Sequence, residues 1–419
     1  MSLPARRLVC GIVREIGLEN HYFPRATGVR GPIAKRVSRV LIVLAAVPSN
    51  CYTAKMDYKG RLQRLQEALS RHKLDVLVVE HLPNIRYLCG FTGSAAALLV
   101  TEKGSFFFTD GRYTAQARAE VRGAKIAIAR KPPLLLAAEW LKKRGKAGRA
   151  GMCIVGIEAE HMTVAARTRL LGALSGKFRL KEAPPLVERS RMVKDAAEIE
   201  IIRRSVEIGA RLFDTAIEHI RPGIKETDVA AEMEHAARKA GADGMSFETI
   251  IAGGTRSALP HGRASHHAIP AAGFVVCDFG VILTGYCSDM TRTVHVGRPS
   301  RQAQGFYEAV LEAQLAGLDA IKPGTTVGKV DQATRNSLQK AGLGTYFTHS
   351  TGHGVGIEIH EAPRVAANQP DVLEPGMVIT VEPGAYIPGK WGVRIEDMVV
   401  VTKDGCDVLT PTTKKLISV

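Results

Sequence analysis

The feature that most constrains the fold is a segment that the chain repeats 101 residues further on. The first copy, residues 221–241, opens with Arg-Pro-Gly, the second copy, residues 322–342, opens with Lys-Pro-Gly, and both close with Lys-Ala-Gly. Each copy has helical spacing between its Pro-Gly turn and its terminal glycine, and each follows another amphipathic helix. This duplication predicts two similar halves, each a helix pair followed by strands, arranged around a pseudo-twofold axis.

Each half continues with a strand-rich stretch that holds histidine and then two acids. The acids are Asp278 and Asp289 in the first half and Glu382 and Glu396 in the second, at spacings close to that of the repeat. A pseudo-twofold axis would bring the four carboxylates together. Because Asp278 and Glu382 each follow an apolar strand, desolvation and mutual repulsion would destabilise the shared site unless cations were present.

Divalent metal ions are the cations that fit this set. Two such ions balance four carboxylates in charge, and paired metal ions are a known hydrolytic device. Oxygen-rich ligation with one imidazole favours Mn²⁺, with Co²⁺, Fe²⁺ or Zn²⁺ as alternatives, over a thiolate zinc site. The seven cysteines are scattered and include no Cys-x-x-Cys pair, which is typical of a protein in a reducing cytoplasm.

The chain ahead of the duplicated part has a different organisation. From residue 57, helical and strand patterns alternate up to Pro184-Pro185, beginning with Leu62, Leu65 and Leu69 at helical spacing. Asp195 and Glu198 then have the spacing of a capping box, which predicts the start of a new helix. We therefore expect an α/β domain at residues 56–186 and a catalytic domain at residues 187–419. Residues 1–55 hold nine basic and two acidic residues without a matching periodic pattern, and we expect a basic extension that is poorly ordered or not made. The alternative is a targeting segment, since the stretch is rich in arginine and ends in a short apolar run at residues 40–47.

Charge and hydropathy exclude two classes of partner. The net charge is +16, but beyond the basic extension charges of both signs are interleaved, with few aromatic residues and no basic-aromatic stripe. This distribution argues against nucleic-acid binding. No apolar run reaches the roughly 20 residues that a membrane-spanning helix needs, so no membrane partner is expected.

Together these residues resemble the pita-bread metallopeptidases, in the branch of aminopeptidase P and Xaa-Pro dipeptidase (prolidase), over residues 57–419. The resemblance implies an amino-terminal creatinase-like α/β domain followed by a pseudo-twofold pita-bread α+β catalytic domain. It implies two bound metal ions, with Asp289 and Glu396 bridging them. The implied metal ligands are Asp278, Asp289, His353, Glu382 and Glu396.

The same resemblance implies further roles. Glu382 would pass a proton to the leaving nitrogen, while His261 and His360 would stabilise the oxyanion and orient the substrate. The substrate's free amine would lie near Asp278. Supporting positions fall on His349, Thr291 and Arg394, the last two orienting the bridging acids. We also expect a homodimer.

The expected activity is release of the first residue from peptides with proline second, because the long amino-terminal domain fits the aminopeptidase branch. The alternative is an Xaa-Pro dipeptidase, which needs a cation for the substrate's terminal carboxylate. Arg256, Arg263 and Arg292 are available nearby in sequence for that contact.

Several other activities are disfavoured. A creatine amidinohydrolase-like protein and a metal-free binding module both disagree with the intact ligand set. Methionine aminopeptidase normally lacks the α/β domain. His360-Glu361 begins a zinc-protease-like pair, but Arg364 stands where the second histidine is required.

Overall fold

The computed structural model describes residues 56–144 and 151–419. The expectation for the basic extension at residues 1–55 lies outside the described residues. All described residues belong to one compact unit. Within those two ranges no helix is both long and apolar enough to cross a membrane.

The amino-terminal part is a six-stranded mixed sheet flanked by helices. Along the sheet the strands lie in the order β4-β3-β2-β1-β5-β6. Its helices are α1 Tyr58–Arg71, α2 Leu82–Cys89, α3 Thr114–Glu120, α4 Pro133–Arg144, α5 Val164–Ala173 and α6 Leu186–Met192. Its strands are β1 Val76–Val79, β2 Ala96–Thr101, β3 Gly104–Thr109, β4 Lys125–Ile128, β5 Cys153–Glu158 and β6 Phe178–Ala183. The predicted α/β character is confirmed.

Helix α1 shows how local sequence sets this part of the fold. Leu62, Leu65 and Leu69 recur at helical spacing, and all three are buried against the sheet. The Asp57 side chain caps the helix by accepting a hydrogen bond of 2.8 Å from the amide of Gly60. The sequence alone gives no clear indication of α2, β6 and α6. Helix α2 has only eight residues and no side-chain cap, and β6 is half charged.

Among the described residues, the second part contains two helix pairs and four sheets of five, three, three and two strands. The helices are α7 Ala196–His219, α8 Glu226–Lys239, α9 Arg301–Asp319 and α10 Val327–Lys340. The strands of the first half are β7 Gly244–Met245, β8 Ile250–Gly253, β9 Gly273–Phe279, β10 Val281–Leu283, β11 Tyr286–Cys287 and β12 Met290–Val296. Those of the second half are β13 Gly352–Gly354, β14 Glu361–Val365, β15 Val378–Val381, β16 Gly384–Ile387, β17 Trp391–Arg394, β18 Asp397–Val401 and β19 Cys406–Val408.

The predicted duplication is confirmed at the turn inside each helix pair. Gly223 and Gly324 adopt φ values of 85° and 83°, a left-handed conformation that side chains disfavour. The amide of Gly223 donates to the carbonyl of Ile269, and the amide of Gly324 donates to that of Leu373, each at 2.9 Å. The same turn is therefore tied to the same kind of strand connection in both halves.

The two parts meet at the start of α7. Asp195 and Glu198 form the predicted capping box. Arg61 of α1 places one guanidinium nitrogen 2.7 Å from Asp195 Oδ2 and 3.0 Å from Glu198 Oε2. Because Arg61 is buried, this ion pair fixes the amino-terminal part against the first helix of the catalytic part.

Candidate metal centre and active site

All five predicted metal ligands line one cavity of about 1010 Å³. Each lies within or at the end of a strand, where a rigid sheet sets the direction of its side chain. Two sheets are involved, the three-stranded sheet β12-β9-β8 and the five-stranded sheet β14-β13-β15-β18-β19. Asp278 lies on β9 and Asp289 directly precedes β12, whereas His353 lies on β13, Glu382 directly follows β15, and Glu396 lies between β17 and β18.

The duplicated halves contribute to the same cluster. Among residues 56–144 and 151–419, one set of three potential ligand atoms lies within 4.8 Å of one another, from Asp289, His353 and Glu396. His353 Nε2 is also 3.6 Å from Glu382 Oε1 and 3.5 Å from Asp289 Oδ2. Asp278 lines the same cavity from the opposite sheet.

The carboxylates of this cluster disfavour each other's ionisation. Burial, with the neighbouring Glu396, Asp278 and Glu382, raises the pKa of Asp289 well above its ordinary value. Burial together with Glu396 raises the pKa of Glu382 likewise. Burial and Asp278 raise the pKa of Glu396 to about 8. A cation among these oxygens would lower all three pKa values again. It would replace the hydration that burial removes and offset the repulsion between the carboxylates.

Two buried oxygens in the cluster have no hydrogen-bond partner among the described residues, namely Asp289 Oδ1 and Glu396 Oε1. Leaving such an atom unsatisfied costs roughly 1–3 kcal/mol, and more for a charged group. A metal ion is a partner that both oxygens can share. The donor set therefore fits a divalent cation.

The environment of His353 also suits a metal ligand. Its Nδ1 lies 3.0 Å from the carbonyl oxygen of Gly354, so Nδ1 carries the proton and Nε2 carries the lone pair. Burial lowers the pKa of His353 to about 4, which keeps the ring neutral. Its lone pair faces carboxylate oxygens that are acceptors as well, and a cation between them resolves the repulsion.

Arg394 and Thr291 bind two of the acids, Asp278 and Glu396. Arg394 forms an ion pair with Asp278, and its Nε donates to Thr291 Oγ1 at 3.1 Å. Thr291 Oγ1 in turn donates to Glu396 Oε2 at 2.7 Å. Thr291 therefore contacts Glu396 directly, which is the contact expected of a residue that orients this acid. Arg394 directly contacts Asp278, a terminal ligand by the resemblance, and reaches Glu396 only through Thr291.

The predicted histidines take different positions around the cavity, which all three line. The centroids of the His360 and His353 rings are 4.4 Å apart. Burial together with His261 lowers the pKa of His360. His349 lies 3.0 Å from the Tyr386 hydroxyl, which also accepts a 2.7 Å hydrogen bond from Arg394. His349 thus supports the site through Tyr386, a residue that the sequence analysis did not identify.

The three arginines considered for a substrate carboxylate differ in their access to the cavity. Arg292 is buried and bonded to Asp397, so its availability was wrongly predicted. Arg256 binds Glu226 and lies outside the cavity lining. Arg263 lines the cavity and forms an ion pair with Glu248.

A fourth arginine, Arg364 on β14, lines the same cavity and is exposed. Its guanidinium has no hydrogen bond or ion pair within the described part of the chain. In the sequence, Arg364 stands out only as the residue that breaks a zinc-protease motif. The signal that could have identified it is its spacing of four residues after His360.

Comparisons with known proteins agree with this geometry. A model of metallopeptidase family M24 matches residues 200–403, and a model of the creatinase/prolidase amino-terminal domain matches residues 61–193. The uncharacterized peptidase YqhT of Bacillus subtilis is 39% identical over 357 residues, which are 85% of this chain and 99% of that protein.

Two solved structures show the same fold. An Xaa-Pro dipeptidase from Bacillus anthracis is 40% identical with a TM-score of 0.82, and the match covers 87% of this chain and 100% of that one. An X-Pro aminopeptidase from Thermotoga maritima is 34% identical with a TM-score of 0.78, over 85% of this chain and 99% of that one. The predicted family and the predicted fold are confirmed. This chain belongs to metallopeptidase family M24 and joins a creatinase/prolidase amino-terminal domain to its catalytic domain.

Proposed function

We propose that this chain is an Xaa-Pro dipeptidase that hydrolyses the bond before proline in dipeptides. The observation that carries the proposal is the guanidinium of Arg364, which lies in the cavity of the acid cluster and has no partner among residues 56–144 and 151–419. A dipeptide has a free amine at one end and a free carboxylate at the other. An arginine without a protein partner matches a carboxylate in charge and in its two-pronged geometry.

The proposed metal site consists of Asp278, Asp289, His353, Glu382 and Glu396. Four carboxylates in a buried cavity support two divalent ions rather than one, because a single ion would leave excess negative charge. Oxygen-rich ligation with one imidazole supports Mn²⁺, with Co²⁺, Fe²⁺ and Zn²⁺ as alternatives. Ions held there would supply Lewis acidity and an activated water at neutral pH.

The cavity residues perform the remaining chemistry. The Glu382 side chain is 17% exposed, against 12% for Asp278 and 6% for Asp289, so its carboxylate is the most open of these three to an incoming substrate. This position supports the assignment of Glu382 to proton transfer from water to the leaving nitrogen. His360, a neutral imidazole with one N–H, would donate to the carbonyl oxygen as negative charge develops there, and its position in the cavity lining together with His261 supports this role.

A preference for proline is expected because the proposed substrate contacts do not include the N–H of the scissile peptide bond. The bond before proline is a tertiary amide without an N–H, so a site that pairs this N–H with a strand would reject it. A site that binds the amine, the carbonyl oxygen and the terminal carboxylate has no such requirement. Phe247, Ile250 and Ile359 give the cavity an apolar wall against which the proline ring can pack.

The second candidate is an aminopeptidase that releases the first residue from longer peptides with proline second. The cavity of about 1010 Å³ favours it, since this volume is at the upper limit of ordinary small-ligand sites and leaves room for further residues. The non-peptidase alternatives lose support because the donor set is complete and the family is a peptidase family.

The experiment that separates the candidates compares Ala-Pro, Ala-Pro-Ala and Ala-Ala at equal concentration after reconstitution with Mn²⁺. The dipeptidase proposal predicts fast hydrolysis of Ala-Pro alone. Equal or faster cleavage of Ala-Pro-Ala would favour the aminopeptidase. Cleavage of Ala-Ala as fast as that of Ala-Pro would contradict both.

A further inference from the structure

The segment that carries His360 is held mainly by residues outside the metal site. Residues 355–360, called the His360 loop below, connect β13 to β14. The amide of Cys287 donates to the carbonyl of Gly356 at 2.8 Å, and Ile357 packs against core clusters of both domains. The position of His360 therefore depends on the junction between the two domains.

Arg191, at the end of α6, forms the central contact of this junction. One guanidinium nitrogen lies 2.8 Å from Glu358 Oε2 and 2.5 Å from Glu361 Oε1. The other terminal nitrogen donates to Asn84 Oδ1 of α2 at 2.7 Å. A single buried guanidinium thus binds the carboxylates on both sides of Ile359-His360 and ties them to the amino-terminal domain.

Glu361 closes the loop from its carboxyl end. It accepts a 3.0 Å hydrogen bond from the amide of Glu358 and a 3.2 Å contact from Lys194 Nζ. Burial would raise the pKa of Glu361, but Lys194 and Arg191 outweigh burial and hold the pKa below its ordinary value. A Cβ added at Gly356 would lie 2.6 Å from Glu361 Oε2, which shows how tightly the loop folds around this carboxylate.

The amino-terminal domain reaches the same carboxylates directly. His81 Nε2 lies 3.1 Å from Glu358 Oε2, and the His81 ring stacks on His161 with 3.6 Å between centroids. His161 in turn lies 2.9 Å from Glu188 of α6. Through His81, the amino-terminal domain thus contacts the same Glu358 oxygen that binds Arg191.

We propose that Arg191 is a positioning residue for catalysis: by binding Glu358 and Glu361 together, it fixes the His360 loop and aims His360 at the substrate carbonyl. The proposal rests on the proposed function, in which His360 contacts the substrate. It predicts that removal of Arg191 acts on the reaction through His360, with no direct contact between Arg191 and the substrate.

Arg61 provides a matched control. It is a buried arginine at the same domain junction, with 3% relative exposure like Arg191, and it binds Asp195 and Glu198. The contacts of its guanidinium lie outside the His360 loop. A defect caused by a loosened domain junction alone would affect Arg61→Gln and Arg191→Gln equally.

The test combines hydrogen exchange of residues 355–361 with Ala-Pro kinetics on the full chain. We expect Arg191→Gln to speed exchange of the loop by about tenfold or more, since the Glu358 amide loses its fixed acceptor, while Arg61→Gln leaves loop exchange unchanged. We expect kcat to fall by about 10–100-fold with little change in KM, the size of effect typical of a catalytic group displaced by about 1 Å.

A double-mutant cycle then isolates the route of the effect. In a His360→Ala background, Arg191→Gln should cause no further loss of kcat, because its partner in catalysis is already absent. Arg191→Lys keeps the charge but not the two-pronged contact, and should be intermediate in both readouts. If Arg191→Gln fails to fold, Arg191→Lys and Arg61→Lys replace the glutamine pair.

Unchanged loop exchange in the Arg191 variant, equal loss of kcat in the Arg61 variant, or additive losses with His360→Ala would each overturn the proposal. Loop exchange is measured without substrate and reports on the positioning claim alone. A wild-type chain that hydrolyses none of the peptides would therefore overturn the proposed function, while the exchange data would still decide whether Arg191 fixes the loop.

Discussion

Thr291 Oγ1 donates a hydrogen bond of 2.7 Å to Glu396 Oε2 and thereby joins the two halves of the catalytic domain at their acid cluster. The same hydroxyl accepts from Arg394 Nε, so both of its hydrogen-bonding roles are used. The protein thus engages one oxygen of Glu396, while Oε1 has no partner in the described part of the chain. We propose that this free oxygen, Glu396 Oε1, binds a metal ion.

Replacing Thr291 with Val tests this relationship. Valine keeps the shape of the side chain but leaves Glu396 Oε2 and Arg394 Nε unsatisfied, so we expect the free energy of unfolding to fall by about 1–3 kcal/mol. Loss of an orienting hydrogen bond also lowers metal affinity by about 10–100-fold. Thermal unfolding and a Mn²⁺ titration measure the two effects. Thr291→Ser restores the hydroxyl and serves as control, and a Val variant with wild-type metal affinity would contradict the assignment.

Arg364 is expected to bind the substrate's terminal carboxylate. Arg364→Gln should therefore raise KM for Ala-Pro by about 30-fold, equivalent to about 2 kcal/mol, the lower end of the cost of truncating one partner of a charge pair. For Ala-Pro amide, which lacks the carboxylate, wild type and variant should have similar kinetics.

Arg263→Gln is the matched control for Arg364→Gln, because Arg263 lines the same cavity but is already paired with Glu248. Its substitution should change KM for Ala-Pro much less. If Arg263→Gln gave the larger effect, the carboxylate contact would belong to Arg263 and the assignment to Arg364 would be wrong.

Asp195 is expected to stabilise the junction of the two domains. Its side chain caps α7 through the amides of Ala197 and Glu198 and also binds Arg61. Asp195→Ala should lower the free energy of unfolding by about 1–2 kcal/mol, the range of a lost cap with a partly exposed ion pair. Asp57→Ala, which removes the cap of α1 and no buried partner, should cost less. Equal shifts in denaturant midpoint would argue against a role for the Arg61 contact.

Glu358 makes stability depend on pH. Burial would raise its pKa, but His81 and Arg191 outweigh burial and lower the pKa from 4.5 to about 2. Because the folded-state pKa is depressed, the contribution of Glu358 is fully present above pH 4.5 and is lost as the pH falls towards 2. Glu358→Gln should therefore destabilise the protein at pH 7 and converge with wild type in acid. Urea midpoints that differ by the same amount at pH 7 and pH 3 would contradict this origin.

The sequence was most informative where the determining pattern is local. The Asp195 and Glu198 capping box and the spacing of Leu62, Leu65 and Leu69 each lie within a few residues, and the structure confirms them. The repeat also gave information about residues distant in sequence, because it related acids more than a hundred residues apart. The five candidate ligands could therefore be named together before their distances were known.

The residues that the sequence did not reveal act through contacts between distant segments. Tyr386 matters because the fold brings it between His349 and Arg394, and nothing in its local sequence indicates this. Arg292 was wrongly considered available because its burial against Asp397 depends on two strands meeting. Arg364 and Arg191 likewise derive their proposed roles from the cavity and the domain junction.

We expect peptide hydrolysis to depend on divalent ions bound by the acid cluster. The most direct measurement is the rate of Ala-Pro hydrolysis after exhaustive chelation, followed by stepwise return of Mn²⁺ with bound metal counted per chain. Our account predicts that activity disappears and returns as binding approaches two ions per chain, because two ions balance four carboxylates. Asp289→Asn should bind less metal and remain nearly inactive. Full wild-type turnover without bound metal would contradict the account.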